Sequence, residues 1–280
     1  MAGKCNVVFS FKHNNSLQVD FYLNSLFKDK LGKVMNLKKI VSVLVLGLPC
    51  TAMADVLYGV YIEAGVRQST TVSDLSYGSN TNSFSMDDVE HSNQYVSVRF
   101  EHLVPLIPNF RVAREEYDLS SQISTEGFTF NDKTYADEFS SNISLIESTA
   151  TAYYEILDNW ISLDIGLSVK NIHLNADFSD VGGGSGESLD LYVPAVYLNA
   201  EFAVPVTGLI VGINVEGLQI QEHEYSVFDA YVGYEFLDLT LVDLTLKLGV
   251  QKKTFTIDDV SSFDLELDQE SVYASLQVHF

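Results

Sequence analysis

Apolar and polar residues alternate along most of the chain, with the two-residue period that predicts β-strands. The last stretch shows the pattern without a break, and its apolar row is Val272, Ala274, Leu276, Val278 and Phe280. The alternate positions, from Ser271 to His279, hold Ser, Tyr, Ser, Gln and His. Because successive side chains of a strand point to opposite faces, the chain is predicted to end in an amphipathic strand that closes on an aromatic residue.

The same alternation predicts nine further strands, most of them ten residues or longer. The ten predicted strands cover residues 56–68, 93–102, 110–122, 143–157, 160–175, 189–204, 209–221, 225–236, 242–256 and 269–280. In the third strand, Arg114, Glu115 and Glu116 break the alternation, so its register is not readable. Pro194, inside the sixth strand, has no N–H to donate and predicts a bulge or local irregularity there.

The lengths of the connections indicate how such strands are arranged. Four connections are long, namely 69–92, 123–142, 176–188 and 257–268, and they alternate with short ones; the short 222–224 is the exception. Transmembrane β-barrels have short periplasmic turns, longer outer loops and periplasmic termini. Since one face of most strands is apolar, and lipid-exposed backbone is satisfied only in a closed sheet, we predict an all-β fold. The predicted fold is a single closed antiparallel transmembrane β-barrel of about ten strands. We expect it to be monomeric and to lie in the cell outer membrane, with both mature termini in the periplasm.

Residues 35–54 have the three-part layout of a secretory signal peptide. They begin with a basic pair, continue with an apolar core at residues 40–48, and end with a small-x-small site at Ala54. That core is far shorter than the roughly 20 residues that cross a bilayer as a helix. We therefore expect cleavage after Ala54, so that N-terminal sequencing of the mature protein begins at Asp55.

Residues 1–34 show no repeat and no strand pattern. We interpret them as a disordered extension produced by a start site assigned too early, with Met35 as the true first residue. A long cytoplasmic region ahead of the signal peptide is the alternative. The barrel domain is then 55–280.

Charge and cysteine content narrow the function classes. The 280-residue chain has a net charge of −22, and its mature part holds nine basic and 36 acidic residues. Nucleic-acid binding needs a basic surface, so a nucleic-acid partner is excluded. Both cysteines lie before residue 55, so the mature protein forms no disulfide.

The chain resembles a family of small Gram-negative outer-membrane proteins found in genomes that carry the GlyGly C-terminal sorting system. The resemblance rests on the signal peptide, the PLIPN turn at 105–109, the VPAVYLNAEF strand at 193–202 and the DAYVGYEF strand at 229–236. The function of that family is unassigned. The resemblance therefore implies compartment and fold, but no catalytic residues.

Charged residues on the inner face of the predicted barrel are the main candidates for chemistry. We interpret them as a structural lumen of paired, hydrogen-bonded side chains that plug the barrel. The lumen residues that we single out are Glu63, Arg67, Arg99, Glu101, Asp164, Lys170 and Lys247. Among them, Glu63 and Arg99 are predicted to pair, with Glu101 or Tyr61 adjacent. Val272, Leu276, Val278 and Phe280 are predicted to form the assembly signal on the lipid-facing side.

We expect a structural or envelope-integrity role, without catalytic, cofactor-binding or metal-binding residues. A narrow channel for small solutes or ions is the alternative. A hydrolase at the outer rim is a further alternative, since His91 and His223 lie near carboxylates in the sequence. Such a group resembles the Asp/His groups of the omptin proteases and the His/Ser arrangement of the lipid A deacylases. Neither family's motif is present in order. The expected partners are the lipid bilayer, lipopolysaccharide and the barrel-assembly machinery, with divalent cations at the acidic outer loops as a further candidate.

Overall fold

The computed structural model describes residues 6–12, 16–22, 58–78, 82–104, 106–220, 223–239, 242–260 and 263–280. Their regular elements are twelve strands: β1 Asn6–Lys12, β2 Ser16–Tyr22, β3 Tyr58–Tyr77, β4 Ser83–His102, β5 Asn109–Phe130, β6 Lys133–Asp158, β7 Ile161–Asp180, β8 Gly183–Val204, β9 Leu209–Ile220, β10 His223–Leu239, β11 Val242–Val260 and β12 Phe263–His279. Within these ranges, no helix combines the length and hydropathy that crossing a membrane requires.

The two short N-terminal strands form a hairpin in a unit of their own. β1 and β2 pair antiparallel, and the register aligns three apolar pairs: Val7 with Phe21, Phe9 with Val19, and Phe11 with Leu17. The expectation that residues 1–34 lack a strand pattern is therefore wrong for these two segments. Each is only seven residues long, which gives alternation few repeats to be recognised. The predicted signal peptide lies outside the described residues.

The other ten strands close into an antiparallel barrel. Each strand from β3 to β12 pairs with the next one along the chain, and β12 pairs with β3. Beside the chain terminus, Val60 and Phe280 exchange two backbone hydrogen bonds, of 3.1 and 3.0 Å. The prediction of an all-β, closed, ten-stranded barrel is confirmed.

The strands are longer than the sequence pattern predicts, and the outer connections are correspondingly short. β6, for example, has 26 residues. The connection between β5 and β6 is the two-residue turn Asn131-Asp132, with φ angles of 48° and 62°. Positive φ at both central residues is the geometry of a tight hairpin turn. The prediction of long outer loops at 69–92, 123–142, 176–188 and 257–268 is therefore wrong, since most of these residues extend the strands.

The alternation reverses its polarity part of the way along the strands. In β11, Leu248 and Val250 are exposed on the outside and Lys253 is buried inside; beyond it, Phe255 and Ile257 are buried inside. We call the part with apolar residues outside the belt section and the part with apolar residues inside the outer section. Two sections of opposite polarity indicate two surroundings, lipid around the first and water around the second.

The outer section is a sandwich of two sheets, because the barrel wall divides at two seams. β4 pairs with β5 only as far as Gln94 and Glu116, and β8 pairs with β9 only from Val196 and Gly217. One sheet is β5–β8, and the other is β9–β12 with β3 and β4. Aromatic rings fill the space between the sheets. Their centroid distances include 5.6 Å for Phe84 and Phe178, 5.8 Å for Phe130 and Phe263, and 5.2 Å for Phe128 and Phe178.

Pro194 causes no bulge in β8. It pairs in register with Val169 of β7, and the ladder continues without a shift on either side. Pro194 lies just outside the part of β8 that pairs with β9. An edge position of this kind tolerates proline, because one side of the strand needs no hydrogen-bond donor. The predicted irregularity is therefore wrong.

Candidate functional site

Seven charged side chains, five of them buried and two partly buried, cross the lumen of the belt section in alternating order. We call them the charge chain: Arg67, Glu115, Lys253, Glu147, Lys170, Glu216 and Arg111. After the contact between Arg67 and Glu115, the successive N–O distances are 3.3, 3.1, 3.1, 2.6 and 3.1 Å. Each carboxylate lies between two cations. Removing a charge from water costs several kcal/mol, and such alternation compensates each member with opposite charge.

Most contacts of the charge chain join strands that are not neighbours in the wall. Glu147 on β6 reaches Lys253 on β11, so this pair spans the lumen. Uncharged donors satisfy further oxygens: the hydroxyl of Tyr225 donates to Glu147 at 2.9 Å, and the amide of Asn93 donates to Glu115 at 2.6 Å. The lumen is therefore a filled network of charge-assisted hydrogen bonds.

Two smaller groups lie nearer to the end that carries the chain terminus. Glu63 binds Lys247 at 3.3 Å and accepts hydrogen bonds from Tyr95 and Ser275, both of 2.8 Å. Arg99 contacts Glu101 at 3.2 Å and lies over the ring of Tyr61 at 4.1 Å.

The predicted pair of Glu63 and Arg99 is therefore wrong, although Glu101 and Tyr61 are the neighbours expected for the arginine. The β3–β4 register sets Arg99 opposite Tyr61 and sets Ser97 opposite Glu63. This offset along the wall leaves Glu63 to a cation from β11.

The remaining predicted lumen residues also lie inside the barrel. Arg67 and Lys170 belong to the charge chain, and Lys247 binds Glu63. Asp164 is almost fully buried and accepts a hydrogen bond of 3.1 Å from the amide of Asn199.

The alternation in the sequence also places Glu147 and Glu216 on the inner face, and the members of the charge chain that it misses are three: Arg111, Glu115 and Lys253. The first two lie in the strand whose register was not readable. Lys253 lies at the reversal of polarity in β11. For Glu115 and Lys253, the signal is the point where the apolar row changes from the outward face to the inward face; Arg111 lies before that point.

The predicted assembly residues occupy the outward row of β12, with differing exposure. Val272 is 58% exposed, whereas Val278 is only 7% exposed. Leu276 and Phe280 are partly buried. Val278 therefore lies on this row but presents little surface, and the expectation that the row faces lipid stays a prediction. The backbone of Phe280 contributes to closure through its two hydrogen bonds with Val60.

The two histidines of the hydrolase alternative make contacts within the wall. His91 stacks on Tyr117 with 5.5 Å between ring centroids, and it lies 3.3 Å from the amide nitrogen of Gln269. His223 accepts a hydrogen bond of 3.3 Å from the backbone N–H of Asp258. Over the described ranges, no cluster of three or more His, Cys, Asp or Glu could hold a metal ion.

Comparison with known proteins gives no family. No family model matches the chain, and no curated protein matches it. Similar solved structures include the attachment invasion locus protein Ail of Yersinia pestis, crystallised with the heparin analogue sucrose octasulfate, at 12% identity and a TM-score of 0.36, covering 79% of this chain and 99% of that one. The outer membrane protease OmpT of Escherichia coli matches at 8% identity and a TM-score of 0.41, covering 82% and 100%. The translocator domain of the autotransporter NalP of Neisseria meningitidis matches at 13% identity and a TM-score of 0.38, covering 90% and 95%. Likenesses this distant carry no functional argument for this chain.

Proposed function

We propose that this protein is an integral outer-membrane β-barrel with a structural, envelope-integrity role and a lumen that does not conduct. The apolar surface of the belt section supports the membrane location. Large outward side chains such as Val98, Leu167, Val211 and Leu248 are exposed around the wall. Soluble proteins rarely expose a contiguous apolar surface of this extent. By the general topology of such barrels, the end that carries the chain terminus faces the periplasm.

The observation that carries the proposal is that two layers of side chains, one charged and one aromatic, fill the lumen. The charge chain crosses the belt section, and a cavity of about 130 Å³ remains among its side chains. Above it, the aromatic core of the outer section closes the interior, with Phe128, Phe130 and Phe139 at 0–1% exposure. An ion on this path would have to displace paired charges and then cross a dry apolar layer.

Conductance in planar bilayers tests the closed lumen. The purified protein, shown to be folded by its heat-modifiable gel mobility, is expected to produce no conductance steps at low or high salt. A general porin inserted in the same bilayers controls for incorporation. Discrete steps that require this protein would support the narrow channel and contradict the proposal.

A deletion strain tests the structural role. Its outer membrane is expected to become more permeable to detergent and to large hydrophobic antibiotics, while uptake of small solutes stays unchanged. Expression of the complete chain should restore the barrier. Loss of small-solute uptake alone would instead indicate a transport function.

Catalysis is tested separately. We expect neither peptide cleavage nor a change in the lipid A mass profile, because a general base needs a positioned partner and the described contacts of His91 and His223 provide none. Activity that disappears in both His91→Ala and His223→Ala would support a hydrolase.

A further inference from the structure

Two strands of the outer section lie side by side with their facing edges unpaired. The β4–β5 ladder ends at Gln94 and Glu116. At the far end, the side chain of Asn82 bridges the seam: it accepts a hydrogen bond of 2.7 Å from the N–H of Thr129 and donates one of 2.6 Å to the carbonyl of Thr129. Between these two closures, residues 83–93 of β4 and 117–128 of β5 form what we call the slit.

The edges of the slit are able to accept another strand. β4 pairs with β3 on its other side, with a register shift at Asp87 and Asp88, and β5 pairs with β6, with a register shift at residues 126–127. Along the regular parts of both strands, backbone N–H and C=O groups are directed at the slit. Free edges of this kind are the groups that an added strand binds. The unpaired edge of β8 carries Pro194 and three glycines, which disfavour pairing. Neither edge of the slit contains a proline.

The slit contains a cavity whose chemistry fits a peptide. Its volume is about 460 Å³, and Phe84, Met86 and Ile123 form a buried apolar floor. The rest of the lining is polar: Ser85, Asp87, Ser121, Gln122, Ser124 and Thr125. Polar walls above an apolar floor suit an extended peptide, whose backbone hydrogen-bonds to the edges while alternate side chains point inward. An acyl chain would leave those walls unsatisfied.

The charge around the slit determines which peptides it favours. Exposed acidic residues flank both edges, namely Asp87, Asp88 and Glu90 on β4 and Glu116 and Asp118 on β5. Such a rim attracts cationic segments and repels anionic ones, including lipid phosphates.

We propose that the slit binds an extended cationic segment of a partner protein as an additional β-strand between β4 and β5. Its apolar side chains would contact the floor, and its lysine or arginine side chains would contact the acidic rim. This interaction lies outside the lumen and is independent of whether the lumen conducts.

Binding of labelled peptides to the unaltered full-length protein tests the proposal. A fluorescent ten-residue peptide of alternating lysine and valine is expected to bind saturably, as measured by anisotropy in detergent micelles. The same peptide with glutamate in place of lysine, and an N-methylated lysine–valine peptide, should each bind at least tenfold more weakly. Equal binding of the N-methylated peptide would overturn strand addition, because that peptide keeps the charge and loses backbone donors. Displacement of the peptide by cis-parinaric acid, a fluorescent fatty acid, would assign the slit to lipid and would also overturn it.

Paired variants locate the site. Glu90→Lys with Asp118→Lys reverses two rim charges, and Glu266→Lys with Asp268→Lys makes the same change on the exposed face of β12. The rim variant should weaken lysine–valine binding at least tenfold, and the β12 variant less than twofold. An equal loss in both would show general electrostatic attraction and contradict the proposal. If the rim variant fails to fold, as judged by heat-modifiable mobility, the peptide comparison on the unaltered protein decides the outcome.

Discussion

Neutralising Glu147 is the most direct perturbation of the charge chain. Its carboxylate binds Lys170 and Lys253, both at 3.1 Å, and accepts a hydrogen bond from Tyr225. The carboxylate and both ammonium groups are less than 10% exposed. Removing one partner of a buried ion pair costs about 3–5 kcal/mol. Each lysine keeps a second carboxylate, Glu115 or Glu216, so we expect Glu147→Gln to lower the free energy of unfolding by about 3 kcal/mol, the lower end of that range.

Urea titration of the protein refolded in lipid vesicles, followed by heat-modifiable gel mobility, measures this loss. The matched control is Glu270→Gln, because Glu270 also faces a lysine, Lys252, at 3.8 Å but is 78% exposed. A surface pair of this kind contributes less than about 1 kcal/mol. Adding Lys253→Met to Glu147→Gln should recover part of the loss, since it removes a cation that has lost one partner. Equal effects of Glu147→Gln and Glu270→Gln would refute a buried, interdependent charge chain.

Three further outcomes are expected. Leu276→Asp, on the outward row of β12, should reduce the amount of heat-modifiable protein in outer-membrane fractions, because a charge on the lipid face costs free energy; unchanged assembly would contradict the orientation of that row. Arg99→Met should destabilise the barrel in urea titration by up to about 3–5 kcal/mol, because Glu101 loses its cation; a change below 1 kcal/mol would argue against a buried pair. In the turn after β7, the hydrogen bond from Lys133 lowers the pKa of Asp180. That contact therefore stabilises the turn at pH values above the ordinary aspartate pKa of about 4, and its stabilisation is lost as the pH falls through the lowered pKa. Amide exchange at residues 181–182 should then rise in acid relative to its intrinsic rate. Asp180→Asn should remove this pH dependence.

The barrel itself was predictable because ten runs of alternating residues repeat one physical signal, a strand with a lipid-facing side. The lengths of the strands were not predicted, because the apolar row changes face. In β5, the outward residues Phe110 and Val112 are followed on the same face by Arg114. On the inward face, Arg111 is followed three and four inward positions later by Tyr117 and Leu119. A search for one continuous apolar face reads this change as the end of a strand. The change is in fact the boundary between the belt section and the outer section.

Individual contacts in the lumen could not be predicted from the face that a residue occupies. Alternation places Glu147 inside, but its contact with Lys253 depends on β6 and β11 lying on opposite walls of the closed barrel. Glu63 likewise takes its cation from β11, two strands away, rather than from the neighbouring β4. Sequence therefore predicted many of the inward side chains, whereas the shear and diameter of the barrel determine which of them meet.

The reversal of polarity fixes how deeply the protein is immersed. In β11, the last outward apolar residue, Val250, is followed two positions later by Lys252, and in β12 Val272 is separated from Glu270 by one residue. If the barrel lay deeper in the bilayer by the length of two strand residues, charged side chains would approach the hydrocarbon. If it lay higher by the same length, valines and leucines would enter water. Either displacement costs free energy on several strands at once, so the barrel has little freedom to slide along the membrane normal. A bilayer thicker or thinner than the belt must therefore deform around the protein, which makes lipid thickness a variable to which this fold is sensitive.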